Sequence, residues 1–128
     1  MADFIENEYQ VEAQERWPEQ FAESNLKLSR LTKAEQQQIF NEGPAIASRI
    51  AQQFEAGSAS DSASVQALIA EHYRWICNFW TPNQDAYAAL GDMYVADERF
   101  AANYESLAAG LSEFMRRSMR DYAFANLG

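Results

Sequence analysis

The stretch HYRWICNFW, residues 72–80, decides how this chain of 128 residues is interpreted. Placed on a helix with the residues before it, it gives a core-facing stripe of Val65, Ile69, His72, Ile76 and Phe79. Further aromatic side chains flank that stripe, and the apolar arc widens toward Trp80 beyond an ordinary core-facing face. A helix that is apolar on most sides must bury two faces. The stretch therefore predicts either a second packing layer or a ligand cleft beside this helix.

Length and composition limit the class of protein to which the chain belongs. With 128 residues it is expected to form a single domain over residues 1–128. Its 19 acidic and 10 basic residues give a net charge of −9, which disfavours binding to nucleic acid and to anionic membranes. A single cysteine excludes an internal disulfide and suits the cytoplasm. We find no signal peptide and no apolar run near the ~20 residues that a membrane span needs.

The distribution of helix-breaking residues predicts an all-α fold. Only three prolines and five glycines occur, and no segment alternates apolar and polar residues over the length of a strand. We predict helices over residues 2–16 and about 18–29, then a kinked helix that continues through Gly43-Pro44 to about Ala56. Thr32 and Glu35 have the spacing of a capping box at the start of that third helix.

Four further helices are expected between residue 60 and the C-terminus. Their predicted limits are, in order, Ser60 or Asp61 to Phe79-Trp80, Thr81 to near Val95, Asp97 to Tyr104, and Gly110 to the end of the chain. At the second of these, Thr81 is the predicted N-cap and Pro82 the first helical residue. The chain is therefore expected to be a compact bundle of about six to seven helices.

The sequence gives little evidence for catalysis or for metal binding. His72 is the single histidine and lies on the apolar stripe, which favours a hydrogen-bonded core or cleft-edge role over a haem or zinc ligand. The two Glu-x-x-His pairs of a di-iron bundle do not occur. Cys77 lies five residues after His72 and projects in another direction, which disfavours a Cys–His catalytic pair. We therefore expect a protein that is not an enzyme and needs no metal or cofactor.

Aromatic residues supply the strongest functional signal. Phe, Tyr and Trp make up 13% of the chain, and many of them cluster around one predicted loop. Taken singly each favours core packing, but together they suit a cleft for a flat, ring-rich ligand. Asp92 fits either an arginine-paired surface carboxylate or a polar ligand contact. The candidate ligand-binding residues are His72, Trp75, Phe79, Trp80, Tyr87, Leu90, Asp92, Tyr94, Phe100 and Tyr104, with Trp17 and Phe21 from the N-terminal part.

Three blocks of sequence resemble a known family. They are residues 12–35, which begin EAQERW, residues 72–80, and residues 90–114, which begin LGDMYVADERF. In this order they resemble the TipAS antibiotic-recognition domain, the drug-binding half of a class of MerR-type multidrug regulators. The resemblance implies a globin-like arrangement of helices around a deep cleft. It also implies non-enzymatic binding of a large, ring-rich peptide antibiotic such as a thiopeptide, or of another hydrophobic toxin such as albicidin.

The resemblance breaks at the cysteine with which the family's best-known member captures its drug covalently. The matching position here is at or near Pro82, whereas Cys77 lies over a turn earlier, inside the predicted helix. We therefore expect reversible binding.

The family's N-terminal part is poorly ordered until drug binds. Residues 2–16 of this chain are highly acidic and offer little apolar surface for burial, which agrees with that behaviour. Our hypothesis is that residues 1–31 form a mobile lid that folds over a ligand held by the fourth and fifth predicted helices.

The expected partner is an antibiotic or a similar hydrophobic drug, with no direct contact to nucleic acid and no membrane association. The chain is expected to be a monomer, acting either as a drug-sequestering resistance protein or as the effector domain of a regulator. The alternative is a helical protein–protein interaction module whose aromatic surface docks a partner protein.

Overall fold

The computed structural model describes residues 18–128, and this part of the chain is all-α, as predicted. Six helices follow one another: α1 (Pro18–Ser29), α2 (Lys33–Glu55), α3 (Ala63–Ile76), α4 (Gln84–Ala96), α5 (Glu98–Glu105) and α6 (Leu111–Asn126). The helix predicted over residues 2–16 lies outside the described residues. None of the described helices is long and apolar enough to cross a membrane.

Local capping residues fix the start of α2, as the sequence predicted. The Thr32 hydroxyl accepts from the Glu35 amide at 3.1 Å, and the Thr32 amide donates to the Glu35 carboxylate at 2.9 Å. Pro44 lies inside α2, which continues past it to Glu55 as expected. Gly57 then adopts a φ of 84°, a left-handed conformation that favours glycine and ends the helix.

The predicted end of the fourth helix is too late by three to four residues, and the predicted start of the fifth is too early by two. α3 ends at Ile76 rather than at Phe79-Trp80, because tight i→i+3 bonds replace the helical pattern in the following turn. α4 begins at Gln84, and its N-cap is Asn83, whose side chain accepts from the Ala86 amide at 2.9 Å. Thr81 is therefore not the N-cap, and Pro82 precedes the helix rather than opening it.

The core lies where α3, α4 and α6 meet beneath α2. Its fully buried side chains are Ile50, Val65, Ile69, Tyr87, Leu111, Met115 and Met119. Gly91 lets α4 approach α6 closely, since a Cβ on this residue would lie 3.3 Å from the Arg116 Cα. Asp97 caps α5, as predicted, by accepting from the Arg99 amide at 2.9 Å. α3 and α4 thus both pack on α6, and the aromatic side chains of α3 and α4 meet beside it.

Candidate ligand cleft

His72 is the centre of the aromatic cluster. Its side chain on α3 is buried, its Nδ1 lies 2.7 Å from the Tyr87 hydroxyl, and its Nε2 lies 3.4 Å from the Tyr94 hydroxyl. Both tyrosines belong to α4, where their spacing of seven residues, two turns, places them on one face. Tyr104 of α5 lies beside Tyr94, with a ring distance of 5.0 Å, and extends the cluster to that helix.

Burial keeps this polar chain uncharged. Removal from water lowers the pKa of His72 to about 4, so the imidazole is neutral at pH 7. A neutral imidazole has one donor and one acceptor nitrogen, which matches two hydroxyl partners. Burial also raises the pKa of Tyr104 to about 12. The cluster therefore offers neutral hydrogen-bonding groups and aromatic surface, not a general acid or base poised near neutral pH.

One arm of aromatic rings runs from His72 toward α2. The Trp75 ring lies 5.8 Å from the His72 ring and 5.2 Å from the Phe79 ring, which itself stacks at 6.2 Å on Phe40. Phe40 is exposed, whereas Trp75 and Phe79 are half-buried. This arm therefore carries aromatic surface from the buried histidine to the outside of the molecule.

A second arm runs from His72 toward α5. The Tyr94 ring meets the His72 ring edge-on at 6.1 Å, stacks on Phe100 at 5.4 Å and lies 5.0 Å from Tyr104. Phe100 and Tyr104 are half-buried. Ring contacts thus connect nearly all the predicted aromatic residues of α3, α4 and α5 into one network.

A groove lies between α1 and the turn that precedes α4. It has a volume of about 200 Å³ and is lined by Glu19, Glu23, Trp80, Thr81, Pro82, Asn83 and Ala86. Among the described residues of this lining, the half-buried Trp80 is the one aromatic side chain. Because α1 forms one wall, any movement of α1 would change the access to Trp80.

Two hydrogen bonds hold the walls of this groove. The Tyr73 hydroxyl donates to the Pro82 carbonyl at 2.8 Å and so fixes the turn against α3. On the other wall, the Lys27 ammonium donates to the Cys77 carbonyl at 2.9 Å and pairs with Glu23 at 3.2 Å. α1 is therefore tied to the C-terminal end of α3.

Most of the predicted site residues lie close together in the structure, but they differ in how far they are buried. His72, Tyr87 and Tyr94 are buried, whereas Trp75, Phe79, Trp80, Leu90, Phe100 and Tyr104 are half-buried. Asp92 is exposed and pairs with Arg116 at 3.0 Å, on the side of α4 that faces α6. Trp17 and the side chain of Phe21 lie outside the described residues.

The sequence did not predict that acidic residues form one wall of the groove. Glu19 and Glu23 are four residues apart, the spacing that places two side chains on one helix face. That spacing was visible in the sequence, but nothing local indicated that this face meets Trp80. The ring of Tyr122 on α6 lies 5.7 Å from the Tyr73 ring and 5.9 Å from the Tyr87 ring, beside the predicted cluster.

Cys77 differs from a reactive, exposed thiol. It is half-buried as the C-terminal cap of α3. It is not among the residues that line the groove at Trp80. Among residues 18–128 no group of three or more His, Cys, Asp or Glu side chains is arranged to hold a metal ion.

Comparison with known proteins identifies the family. The profile of the TipAS antibiotic-recognition domain matches residues 9–122. The chain belongs to the TipAS domain family. Its fold agrees with that of a solved TipAS chain from Streptomyces lividans, described as a complex with nosiheptide in a thiopeptide antibiotic multidrug resistance system. The TM-score is 0.81, with 28% identity, and the match covers 93% of this chain and 85% of the other.

Curated TipAS-domain relatives are transcriptional regulators. The chain is 34% identical over 104 residues to the HTH-type transcriptional regulator SkgA of Caulobacter vibrioides, covering 80% of this chain and 41% of SkgA. It is 31% identical over 117 residues to the HTH-type transcriptional activator TipA of Streptomyces coelicolor, covering 89% of this chain and 46% of TipA. This TipAS domain therefore spans less than half the length of these relatives.

Proposed function

We propose that this TipAS domain binds a ring-rich peptide antibiotic or a similar hydrophobic drug, reversibly and without changing it chemically. The observation that carries the proposal is the aromatic network around His72, whose half-buried rings extend from the buried histidine toward α2 and α5. Tyr73, which contacts the Tyr87 ring of this network, donates a hydrogen bond to Pro82 in the lining of the groove at Trp80. Such surfaces suit flat heteroaromatic ligands, because rings stack on rings while a few polar atoms fix orientation. The likeness to a TipAS chain solved with nosiheptide supports the same ligand class.

The contact residues that we propose are those predicted from the sequence, with different roles. The half-buried rings of Trp75, Phe79 and Trp80 would contact ligand on one side, and Phe100 and Tyr104 on the other. The buried His72, Tyr87 and Tyr94 would act beneath them by fixing ring positions through their hydrogen bonds. Leu90 would add apolar surface, and Asp92, held by Arg116, would contribute at most a peripheral polar contact.

We propose that residues 1–31 act as the lid of this site. Support comes from the groove itself, since Glu19 and Glu23 of α1 form its outer wall. Lys27 of α1 donates to the Cys77 carbonyl at 2.9 Å, and Gln36 of α2 donates to the Leu28 carbonyl of α1 at 2.6 Å. The Glu23–Lys27 pair lies within α1, so opening of α1 would break these two hydrogen bonds without breaking that pair.

Reversible binding is proposed because Cys77 is poorly placed for capture of a drug. It is half-buried and is not among the residues that line the groove. Nucleophilic attack would require a thiolate with access to the ligand. Catalysis is not proposed either, because the buried neutral His72 and the tyrosines around it offer no activated nucleophile.

In its biological context, the domain would serve as the effector part of a longer cytoplasmic regulator or as a free-standing drug-sequestering protein. The curated relatives, all named as HTH-type regulators and more than twice as long as the matched region, support the first role. As an isolated domain it is proposed to be monomeric.

Calorimetric titration with nosiheptide tests the proposal. We expect saturable binding that Trp80→Ala weakens about tenfold or more, the usual size of a lost aromatic contact at a binding site. Phe124→Ala is the matched control, since Phe124 is an exposed ring of α6 outside the groove, and it should leave the affinity unchanged. Mass spectrometry should recover unaltered drug and unmodified Cys77. Equal affinities of the wild type and Trp80→Ala would contradict the proposed site, and an adduct on Cys77 would contradict reversibility.

A further inference from the structure

A second cavity lies at the opposite end of α3 from the groove at Trp80. It has a volume of about 680 Å³, within the range of about 300–1,000 Å³ typical of small-molecule sites. We call it the loop cavity, and it is lined by Phe54, Gly57, Ser58, Ala59, Ser60, Asp61, Phe114, Arg117, Arg120 and Asp121. It shares no lining residue with the groove at Trp80.

The loop cavity has an aromatic floor. The Phe54 and Phe114 rings lie 4.9 Å apart and inclined at 43°, and they join the α2 and α6 walls. Phe114 is buried, whereas Phe54 is half-buried and turns part of its surface to the cavity. A Cβ on Gly110 would lie 3.2 Å from the Phe54 ring, so the backbone before α6 is close-packed behind this floor.

Two arginine side chains, those of Arg117 and Arg120, line the loop cavity. Arg117 and Arg120 are exposed, and neither forms an ion pair within the described part of the chain, although the net charge is −9. Arg120 instead lies over the Phe124 ring at 5.2 Å. Arginine is the side chain best suited to carboxylate or sulfonate oxygens, which it can bind with two parallel hydrogen bonds.

Two carboxylates limit the negative charge that a ligand of the loop cavity can carry. Asp121 accepts a hydrogen bond from the Ser60 hydroxyl at 2.7 Å, which ties the loop to α6, and Asp61 lies exposed in the lining. A ligand with one negative charge can meet the arginines while its remaining atoms avoid these acids. Each additional negative charge would be repelled by Asp61 or Asp121.

We propose that the loop cavity is a second small-molecule site, specific for an aromatic ligand that carries a single acidic group. The ring of the ligand packs on Phe54 and Phe114, and its carboxylate or sulfonate binds Arg117 and Arg120. This site requires no contact with the residues of the aromatic cleft, so both sites can be occupied at once.

A pair of fluorescent probes that differ by one acidic group tests this assignment. 8-Anilinonaphthalene-1-sulfonate carries the sulfonate, and N-phenyl-1-naphthylamine has the same ring skeleton without it. We expect saturable binding of the sulfonate probe that the double variant Arg117→Gln/Arg120→Gln weakens about tenfold or more, as expected for lost charged hydrogen bonds. The neutral probe should show no such loss. Ala59→Phe, which fills the cavity from an exposed loop position, should weaken binding of the sulfonate probe as well.

Two matched variants separate this site from the rest of the molecule. Arg74→Gln removes one exposed arginine of α3 outside the loop cavity, and Trp80→Ala alters the other groove; neither should change the dissociation constant of the sulfonate probe. Near-ultraviolet circular dichroism verifies that every variant is folded. The proposal is overturned if the wild type does not bind the sulfonate probe, if the double arginine variant binds it equally well, or if Arg74→Gln or Trp80→Ala weakens it as much.

Discussion

The indole N–H of Trp75 donates to the Ile39 carbonyl at 2.7 Å and so joins α3 to α2 beside the Gly43-Pro44 step. Proline lacks the amide hydrogen that would bond the carbonyl four residues earlier, and its ring pushes that carbonyl aside. The carbonyl four residues before Pro44 is that of Phe40, and the indole of Trp75 binds the carbonyl next to it, that of Ile39. The Gly43-Pro44 step, which would normally interrupt a helix, thus lies near the Trp75–Ile39 hydrogen bond that positions the aromatic cluster.

Replacement of Trp75 by Phe should lower the free energy of unfolding. The variant keeps an aromatic ring but loses the donor to Ile39, and a typical intramolecular hydrogen bond contributes about 1 kcal/mol. Urea denaturation would measure the change. Trp80→Phe is the control, because no hydrogen bond of the Trp80 indole occurs in the described structure, and we expect it to cost less. An equal loss in both variants would show that ring size, and not the bond to Ile39, is responsible.

Gly43→Ala should destabilise the protein, although alanine is the better helix former by about 1 kcal/mol. A Cβ on Gly43 would lie 2.5 Å from the Trp75 ring, so the indole would have to move from its place against α2. Overpacking of this kind costs about 1–3 kcal/mol. Thermal unfolding would measure the loss, and combining Gly43→Ala with Trp75→Leu should cost less than the sum of the two. A more stable Gly43→Ala variant would mean that the indole is free to shift.

The capping box at Thr32 was predictable because its hydrogen bonds involve residues three apart in the sequence. The start of α4 was not, because Thr81-Pro82 and Asn83 both fit a helix start locally. A contact between residues apart in sequence sets the start of α4. The Tyr73 hydroxyl donates to the Pro82 carbonyl, which holds Pro82 outside the helix. Local patterns thus predicted which helices form, while tertiary contacts set the boundary nearest the site.

The sequence predicted that the residues of the candidate site cluster, but not which of them are buried and which are half-buried. Spacing placed His72 on the core-facing side of α3, and that residue is buried as expected. Sequence alone did not separate the buried Tyr87 and Tyr94 from the half-buried Phe100 and Tyr104, because all four are aromatic and close together in the chain. Their burial depends on how α5 lies across α4, and this packing is not encoded in any one segment.

His72 should make stability fall as the pH is lowered from about 6.5 to about 4. In the unfolded chain the imidazole protonates near its ordinary pKa of 6.5, whereas burial lowers the pKa to about 4 in the folded protein. The unfolded state therefore binds the proton first, and stability is complete above pH 6.5 and lost on acidification. The shift corresponds to about 3 kcal/mol at most.

Urea denaturation between pH 5 and pH 7 measures this effect before the carboxylates protonate. His72→Gln keeps a polar side chain without titration, so its stability should vary less with pH in this interval even if it is lower throughout. Since His72 is the single histidine, NMR of a histidine-labelled sample reports its ring alone. An imidazole that titrates near pH 6.5 in the folded protein would refute the prediction.

Lys27→Met should loosen α1 without unfolding the rest of the domain. The variant keeps the apolar stem of the side chain but loses the bond from the Lys27 ammonium to the Cys77 carbonyl and the ion pair with Glu23. Because the bond to the Cys77 carbonyl links α1 to the end of α3, amide hydrogens of residues 18–29 should exchange faster, whereas those of α2 and α6 should not change. Arg30→Met is the matched control, since Arg30 is exposed just beyond α1 and forms no ion pair in the described structure. If Lys27→Met and Arg30→Met leave the exchange of α1 equally unchanged, α1 is held by other contacts, and a lid that opens at Lys27 is excluded.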